Sequence, residues 1–276
     1  SRVYGILNGT CNYILTTMER EGRDFDEVLK EAQDLGYAEA DPSFDVDGVD
    51  AAHKLSILAS LAFGTQIDFD SVDISGIRNV CAADIREAGT LGYRIRLVGV
   101  AENRANGLFQ RVHPVLVPMH HPLASVEGSL NAVLAEGNFV GSLFFSGRGA
   151  GEGPTASAVV ADLIDIARDE YGDPFAMQVG QLIRQPKADS GDNIGRVYLR
   201  FLVRDKPGVL AEIAAAMRDA NVSIESVIQR GAHEDGSVLL VVVTHDSRES
   251  AIAETLRQLN GSDNLLAEPV VTPILD

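Results

Sequence analysis

The residues of this chain with the clearest chemistry lie in one stretch, Gly36-Tyr-Ala-Glu-Ala-Asp-Pro-Ser-Phe-Asp-Val-Asp-Gly-Val-Asp-Ala-Ala-His-Lys54. Five carboxylates, Glu39, Asp41, Asp45, Asp47 and Asp50, precede a single lysine at the start of an apolar run. Carboxylates gathered there can hold an ammonium group, and a lysine aimed at the same hollow can move a proton to or from a carbonyl oxygen. Three readings compete. A calcium loop is excluded, because aligning Asp45-Val-Asp47-Gly48 on an EF-hand puts Lys54 where the bidentate glutamate must stand. A surface salt bridge between Asp50 and Lys54, one helical turn apart, is the plain alternative, worth only tenths of a kcal/mol. The third reading is a catalytic cavity. Asp50 and Lys54 share one face of an otherwise apolar helix, and a sheltered lysine needs a carboxylate beside it. On this reading Glu39 and Lys54 converge on one largely dry hollow.

The elements that must position these groups follow from the pattern around them. Residues 51–63 are apolar almost all the way round, which predicts a buried helix ended by Gly64. Upstream, Thr10 reads as the N-cap of a helix through Tyr13 and Met18, and Asp24 with Glu27 as a capping box for a helix ending at Gly36. Residues 94–101, 108–117 and 130–145 read as strands, the last a hairpin with its turn at Glu136-Gly137-Asn138. Helices packed on a mostly antiparallel sheet, an α+β arrangement, are the natural result.

A glycine-rich loop, Gly147-Arg-Gly-Ala-Gly-Glu-Gly153, follows the last strand and opens a helix predicted over 155–171. A strand–loop–helix context suits a phosphate or dinucleotide. The spacing nevertheless fails the G-x-G-x-x-G test, since the sixth position is Glu152 or Pro154. A tight turn with Pro154 in the first helical turn is the structural alternative.

Residues 185–195, polar and glycine-containing, read as a linker between a domain at 1–184 and another at 196–276. The second has its own order: strand 197–203, helix to Ala220, strand 222–229, a turn at 231–236, strand 238–244, helix 247–260 with Asp246 and Glu249 as a capping box, and strand 267–272. That is the ferredoxin-like β-α-β-β-α-β pattern.

Composition narrows the partners. The net charge of −17 over 276 residues argues against nucleic acid. No apolar run approaches the length of a membrane span. Cys11 and Cys81 fit a reducing, cytoplasmic setting, and no His/Cys cluster has metal spacing, so no metal is expected.

Gly5-Ile-Leu-Asn-Gly-Thr-Cys-Asn-Tyr-Ile-Leu15, with the Gly36–Pro42 stretch, Asp45, Asp50 and Lys54, resembles the catalytic domain of the homoserine dehydrogenases. The resemblance implies NAD- or NADP-dependent interconversion of L-homoserine and L-aspartate 4-semialdehyde, in the branch leading to threonine, methionine and isoleucine. It implies Lys54 as proton donor and acceptor, with Asp50 supporting it. Glu39 becomes the contact for the substrate ammonium, and Asp45, Gly36 and Tyr37 line the substrate site. Gly149 and Gly151 become cofactor contacts. In that family the nucleotide-binding domain precedes the segment matching Tyr4 and carries the residue that reads the ribose. This chain is therefore expected to be a fragment that does not turn over alone. Asp205-Lys-Pro-Gly-Val-Leu210 resembles the effector loop of the ACT domain, with Asp205, Gly208, Val209, Leu210 and Asn221 as effector contacts and threonine as the implied effector. Open sheet edges favour a homodimer or homotetramer. The rival class is a non-catalytic, amino-acid-sensing protein in which residues 1–180 form an oligomerisation platform.

Overall fold

Apolar alternation and short turns build two compact units, Ser1–Pro114 with Met119–Ala188, and Val115–Pro118 with Asp189–Asp276. The computed structural model describes residues 1–170, 172–232 and 236–275. The expected turn at 231–236 lies partly outside these residues.

β1 (Arg2–Ile6), β2 (Asp73–Ile74), β3 (Tyr93–Arg104), β4 (Gly107–Pro118), β5 (Leu130–Gly137) and β6 (Gly141–Arg148) form one sheet in the order β2-β4-β3-β1-β5-β6, all of it in the first unit except residues 115–118 of β4. β1 pairs antiparallel with β3 and β5, β6 pairs antiparallel with β5, and β2 pairs parallel with β4. The helices are α1 (Gly9–Glu21), α2 (Phe25–Asp34), the single turn α3 (Ser43–Val46), α4 (Val49–Phe63), α5 (Ala82–Thr90) and α6 (Glu152–Ala167). α1 and α4 pack on the sheet, with Ile14, Leu15, Met18 and Leu55 fully buried.

Several local expectations change. The central strand β1 has no counterpart in the pattern reading, because five residues interrupted by Gly5 carry too short an alternation. α1 is capped by Asn8, not Thr10, which lies inside the helix. Asp24 stands at the α2 N-cap without capping it; its Oδ1 instead accepts from Ala82 N at 3.1 Å. α2 stops at Asp34, short of Gly36. α4 is not buried all round: Ala51, Ala52, Leu55, Ser56, Ala59 and Ser60 face inward, while Ile57 and Leu61 are nearly half exposed. The glycine loop opens α6 at Glu152, three residues earlier than predicted.

In the second unit, β8 (Val197–Arg204), α7 (Val209–Asp219), β9 (Ile224–Ala232), β10 (Ser237–Thr244), α8 (Glu249–Leu259) and β12 (Val270–Pro273) give the β-α-β-β-α-β succession. The sheet order is β12-β8-β10-β9, antiparallel throughout. Leu199, Phe201, Ile213, Met217, Leu240, Val242, Ile252 and Leu259 fill its core. The pair β7 (Ile194–Gly195) and β11 (Ser247–Arg248) joins residues just before β8 to those just before α8. Asp246 does not cap α8; Gly191 O and Asn193 O accept from Ser250 N and Glu249 N in its place.

Candidate active site

The site is built where β1 hands over to α1. Asn8 keeps extended backbone angles (φ −125°, ψ 117°), and its Oδ1 accepts from Cys11 N at 2.7 Å. This satisfies one of the four N–H groups that a helix start leaves free. Asn8 Nδ2 then has two hydrogens to give. It donates to Asp45 Oδ1 at 2.6 Å and to Asp50 Oδ2 at 2.8 Å. Lys54 Nζ donates to that same Asp50 Oδ2 at 2.7 Å and to Leu7 O at 3.3 Å. One dipeptide, Leu7-Asn8, therefore holds the lysine directly and through its carboxylate.

The acidic turn is pinned from its other side. Arg78 donates to Asp47 Oδ1 at 2.5 Å, to Asp47 Oδ2 at 3.2 Å and to Ser43 Oγ at 3.0 Å. Ile77 N donates to Val46 O at 2.8 Å. Asp41 Oδ1 accepts from Ser43 N, which starts the turn. Asp47 and Asp41 are thus occupied in shaping the loop, which leaves Asp45 and Asp50 as the carboxylates bound to Asn8, Asp50 alone also taking Lys54. Cys11 Sγ donates to Asp45 O at 3.2 Å from a fully buried position. Burial first, and then the charges of Asp45, Asp50 and Asp47, push that thiol well above its ordinary range, so it is no nucleophile.

The loop carrying Gly36, Tyr37 and Glu39 is tied to the same helix start. Thr10 Oγ1 donates to Tyr37 O at 2.8 Å, and Gln33 Nε2 donates to Glu39 O at 3.0 Å. Tyr37 lays its ring on Tyr13, with centroids 4.7 Å apart. Gly36 takes φ 76° where α2 ends. The Glu39 side chain is exposed and has no partner among the described residues. The Glu39 backbone is held by Gln33 of α2, and no contact among the described residues brings Glu39 to Lys54, so the expected convergence of the two is not seen.

The hollow is not dry. The Lys54 side chain is 52% exposed against 18% for Asp50. The α4 face running on from Lys54 is uncovered, so water reaches the amine. The sequence pattern counted apolar residues without knowing that only one side of α4 meets the sheet.

The glycine loop lies beside the start of α1. A Cβ at Gly149 would stand 2.7 Å from Asn131 Oδ1, and one at Gly9 would stand 2.7 Å from Ser129 O and 3.5 Å from Asn131 Oδ1. The backbone oxygen of Ser129 makes glycine necessary at position 9, whereas a side chain at position 149 would have to turn the Asn131 amide aside. Gly151 takes φ 119° and opens α6. α6 buries none of its side chains, and Leu163 is 58% exposed.

In the second unit Gly208 adopts φ 97° at the N-terminus of α7, behind the exposed residues Asp205 to Pro207. Val209 is buried and Leu210 half exposed. Asn221 takes φ 58° beyond the other end of α7. An eleven-residue helix, roughly 16 Å long, separates Asn221 from Gly208, so one copy does not bring them into a single pocket.

Asn8 and Asn131 are the residues the sequence reading passed over. Asn8 carried a usable signal, a polar residue immediately before an apolar-periodic run. Thr10, two positions later, offers the same signal from within the helix.

The cluster thus brings one lysine, two carboxylates and an asparagine together at the start of α1, with the glycine loop near the same helix start. Comparison with known proteins gives the family. The pattern described as "Homoserine dehydrogenase" matches residues 1–164, and the ACT domain pattern matches residues 197–261. Homoserine dehydrogenase of Pseudomonas aeruginosa is 46% identical over 275 residues, covering 97% of this chain and 63% of that protein. The crystal structure of a homoserine dehydrogenase from Thiobacillus denitrificans superposes with a TM-score of 0.90 at 40% identity, over 100% of this chain and 64% of that one. A hyperthermophilic archaeal homoserine dehydrogenase in complex with NADPH matches at a TM-score of 0.52 and 32% identity, over 61% of this chain and 48% of that one. This chain belongs to the homoserine dehydrogenase family and carries an ACT domain. It spans somewhat less than two thirds of the length of the Pseudomonas aeruginosa relative.

Proposed function

We propose that this chain contributes the substrate side of an enzyme interconverting L-homoserine and L-aspartate 4-semialdehyde, in the branch leading to threonine, methionine and isoleucine. The observation that carries the reading is the Lys54 amine fixed between Asp50 Oδ2 and Leu7 O, with Asn8 bridging Asp50 to Asp45. A substrate that is both an amino acid and an aldehyde needs an anion for its ammonium and a proton donor for its carbonyl. The unpaired Glu39 carboxylate serves the first need, with Gly36 and Tyr37 shaping the loop that presents it. Lys54 serves the second, giving a proton to the carbonyl oxygen during reduction and taking it back during oxidation. Asp50 orients the amine, and Asp45 lines the substrate side.

A nicotinamide dinucleotide, when bound, supplies the hydride. The residues fit contact with one. The loop around Gly149 and Gly151 presents side-chain-free backbone at the N-terminus of α6, where N–H groups suit a phosphate. The NADPH-bearing archaeal relative supports NADP, and NAD remains within the same reading. The loop lacks the dinucleotide fingerprint, so the 276-residue chain is expected to bind homoserine without turnover unless a nucleotide-binding element is provided. The exposed apolar side chains of α6 are the surface for that element.

The ACT domain is read as a sensor for an amino acid, with threonine as the expected effector at Asp205, Gly208, Val209 and Leu210. Because Asn221 sits at the far end of α7, two copies must supply the pocket, which favours a homodimer or homotetramer. The edge strand β6, with Phe145 62% exposed, offers a second surface for pairing. Unpaired cysteines agree with a cytoplasmic location. The test is thermal shift. Homoserine is expected to raise the melting temperature of the chain, and less so in Glu39→Ala; a full rise in that variant sinks the site. Gly208→Asp should abolish the rise with threonine and leave the rise with homoserine.

A further inference from the structure

Asn8 does more than begin a helix. Its amide group is used completely: Oδ1 accepts from Cys11 N at 2.7 Å, and the two Nδ2 hydrogens go to Asp45 at 2.6 Å and Asp50 at 2.8 Å. The residue is 3% exposed, so these bonds are not shared with bulk water. Three bonds fix the amide plane, and the plane in turn fixes how far apart two carboxylates from different elements can stand. Asp45 belongs to α3 and Asp50 to the first turn of α4. Without a donor between them, two such carboxylates would repel and turn apart. Each commits a single oxygen to Asn8, which leaves Asp45 Oδ2 and Asp50 Oδ1 for other partners. Asp50 Oδ2 also accepts from Lys54, so the orientation of the lysine depends on the same amide.

We propose that Asn8 is a positioning residue for the reaction: by bridging Asp45 and Asp50 it holds Lys54 at the angle from which the amine meets the substrate. This rests on the proposed function. The bridging itself can be tested without it.

Asparagine, aspartate and serine are nearly equal as helix N-caps, so substitutions among them separate the cap from the bridge. Asn8→Ser keeps an acceptor for Cys11 N but has one hydrogen to give where the amide has two. In the 276-residue chain, Asn8→Ser should still fold, with a melting temperature modestly below wild type because the cap is kept and a bridging bond is lost. The ¹³C carboxyl resonances of both Asp45 and Asp50 should nevertheless move, together with the ¹⁵Nζ resonance of Lys54. A residue that only caps α1 would move none of the three, and that result would overturn the proposal. Asn8→Asp keeps the cap and adds a third carboxylate, so its stability should fall at neutral pH and recover on acidification; wild-type stability at every pH would likewise count against bridging. In the enzyme assayed with its dinucleotide, Asn8→Ser should lower kcat by roughly 10- to 100-fold, with KM for homoserine changed by less than about threefold. A loss carried wholly by KM would overturn the positioning role. If the resonances move as expected while homoserine fails to bind wild type, the proposed function falls and the bridge stands.

Discussion

Two parts of the first unit meet at the start of α1, and they are made in opposite ways. The Asp45–Asn8–Asp50–Lys54 cluster is tied together by hydrogen bonds within the chain, and its supports, Leu7, Cys11 and Val46, are buried. The glycine loop and α6 are the reverse, with exposed Val159, Leu163 and Ile166 along a helix that buries nothing. A polar site can be completed by local partners, because each hydrogen bond needs one correctly placed atom. An apolar surface can be completed only by a matching surface. The chain thus holds a hydrogen-bonded polar cluster near an uncovered apolar face.

Breaking the cluster should have the largest effect. If Lys54 acts as proposed, Lys54→Ala should lower turnover of the enzyme assayed with its dinucleotide by roughly 100- to 10,000-fold, with little change in melting temperature. Loss of folding with loss of rate would make Lys54 a structural residue and erase the contrast. The next test compares two leucines of similar chemistry. Leu55→Ala, on the buried face of α4, should cost about 2–5 kcal/mol in chemical unfolding of the 276-residue chain. Leu163→Ala on α6 should stay within about 0.5 kcal/mol there. Equal losses would mean that α6 is covered within this chain.

The smallest effect concerns an ion pair away from the site. The His113 ring, 3.4 Å from Asp73 Oδ2, and then Arg111 hold the Asp73 carboxyl down from its ordinary 3.8 to about 2. A depressed carboxylate stabilises the folded state above its unfolded value and loses that contribution as pH falls through its folded one. Asp73 should therefore add stability above about pH 4 and lose it between about pH 4 and pH 2. Asp73 is partly exposed, so screening keeps the contribution small. Urea midpoints of wild type and Asp73→Asn should converge as pH falls through that window. A constant difference would show that the ion pair is not the cause.

Much of the second unit was legible because its signals are local. Short apolar runs in Val197–Arg204 and Ser237–Thr244, with periodic helices between and after them, specify βαββαβ within about eighty residues. The acidic stretch was legible for the same reason, since charge type and i,i+4 spacing place Asp50 and Lys54 together. Cap assignments fared worse. Asn8, Gly9 and Thr10 all precede the same periodic run, and the contacts that select Asn8 come from residues 37 and 42 positions away. The α8 start likewise depends on carbonyls of Gly191 and Asn193, more than fifty residues upstream.

By itself, then, the order of residues determined which chemistry is available: carboxylates for an ammonium, one lysine for a proton, a glycine loop at a helix start, and a second module of fixed strand succession. These depend on side-chain type and on spacings within a turn or a strand. Tertiary structure decided which carboxylates meet, how the lysine is held, and that its surroundings stand open to water. Those outcomes depend on how α1, α3 and α4 settle against a sheet whose central strand barely registers as a pattern.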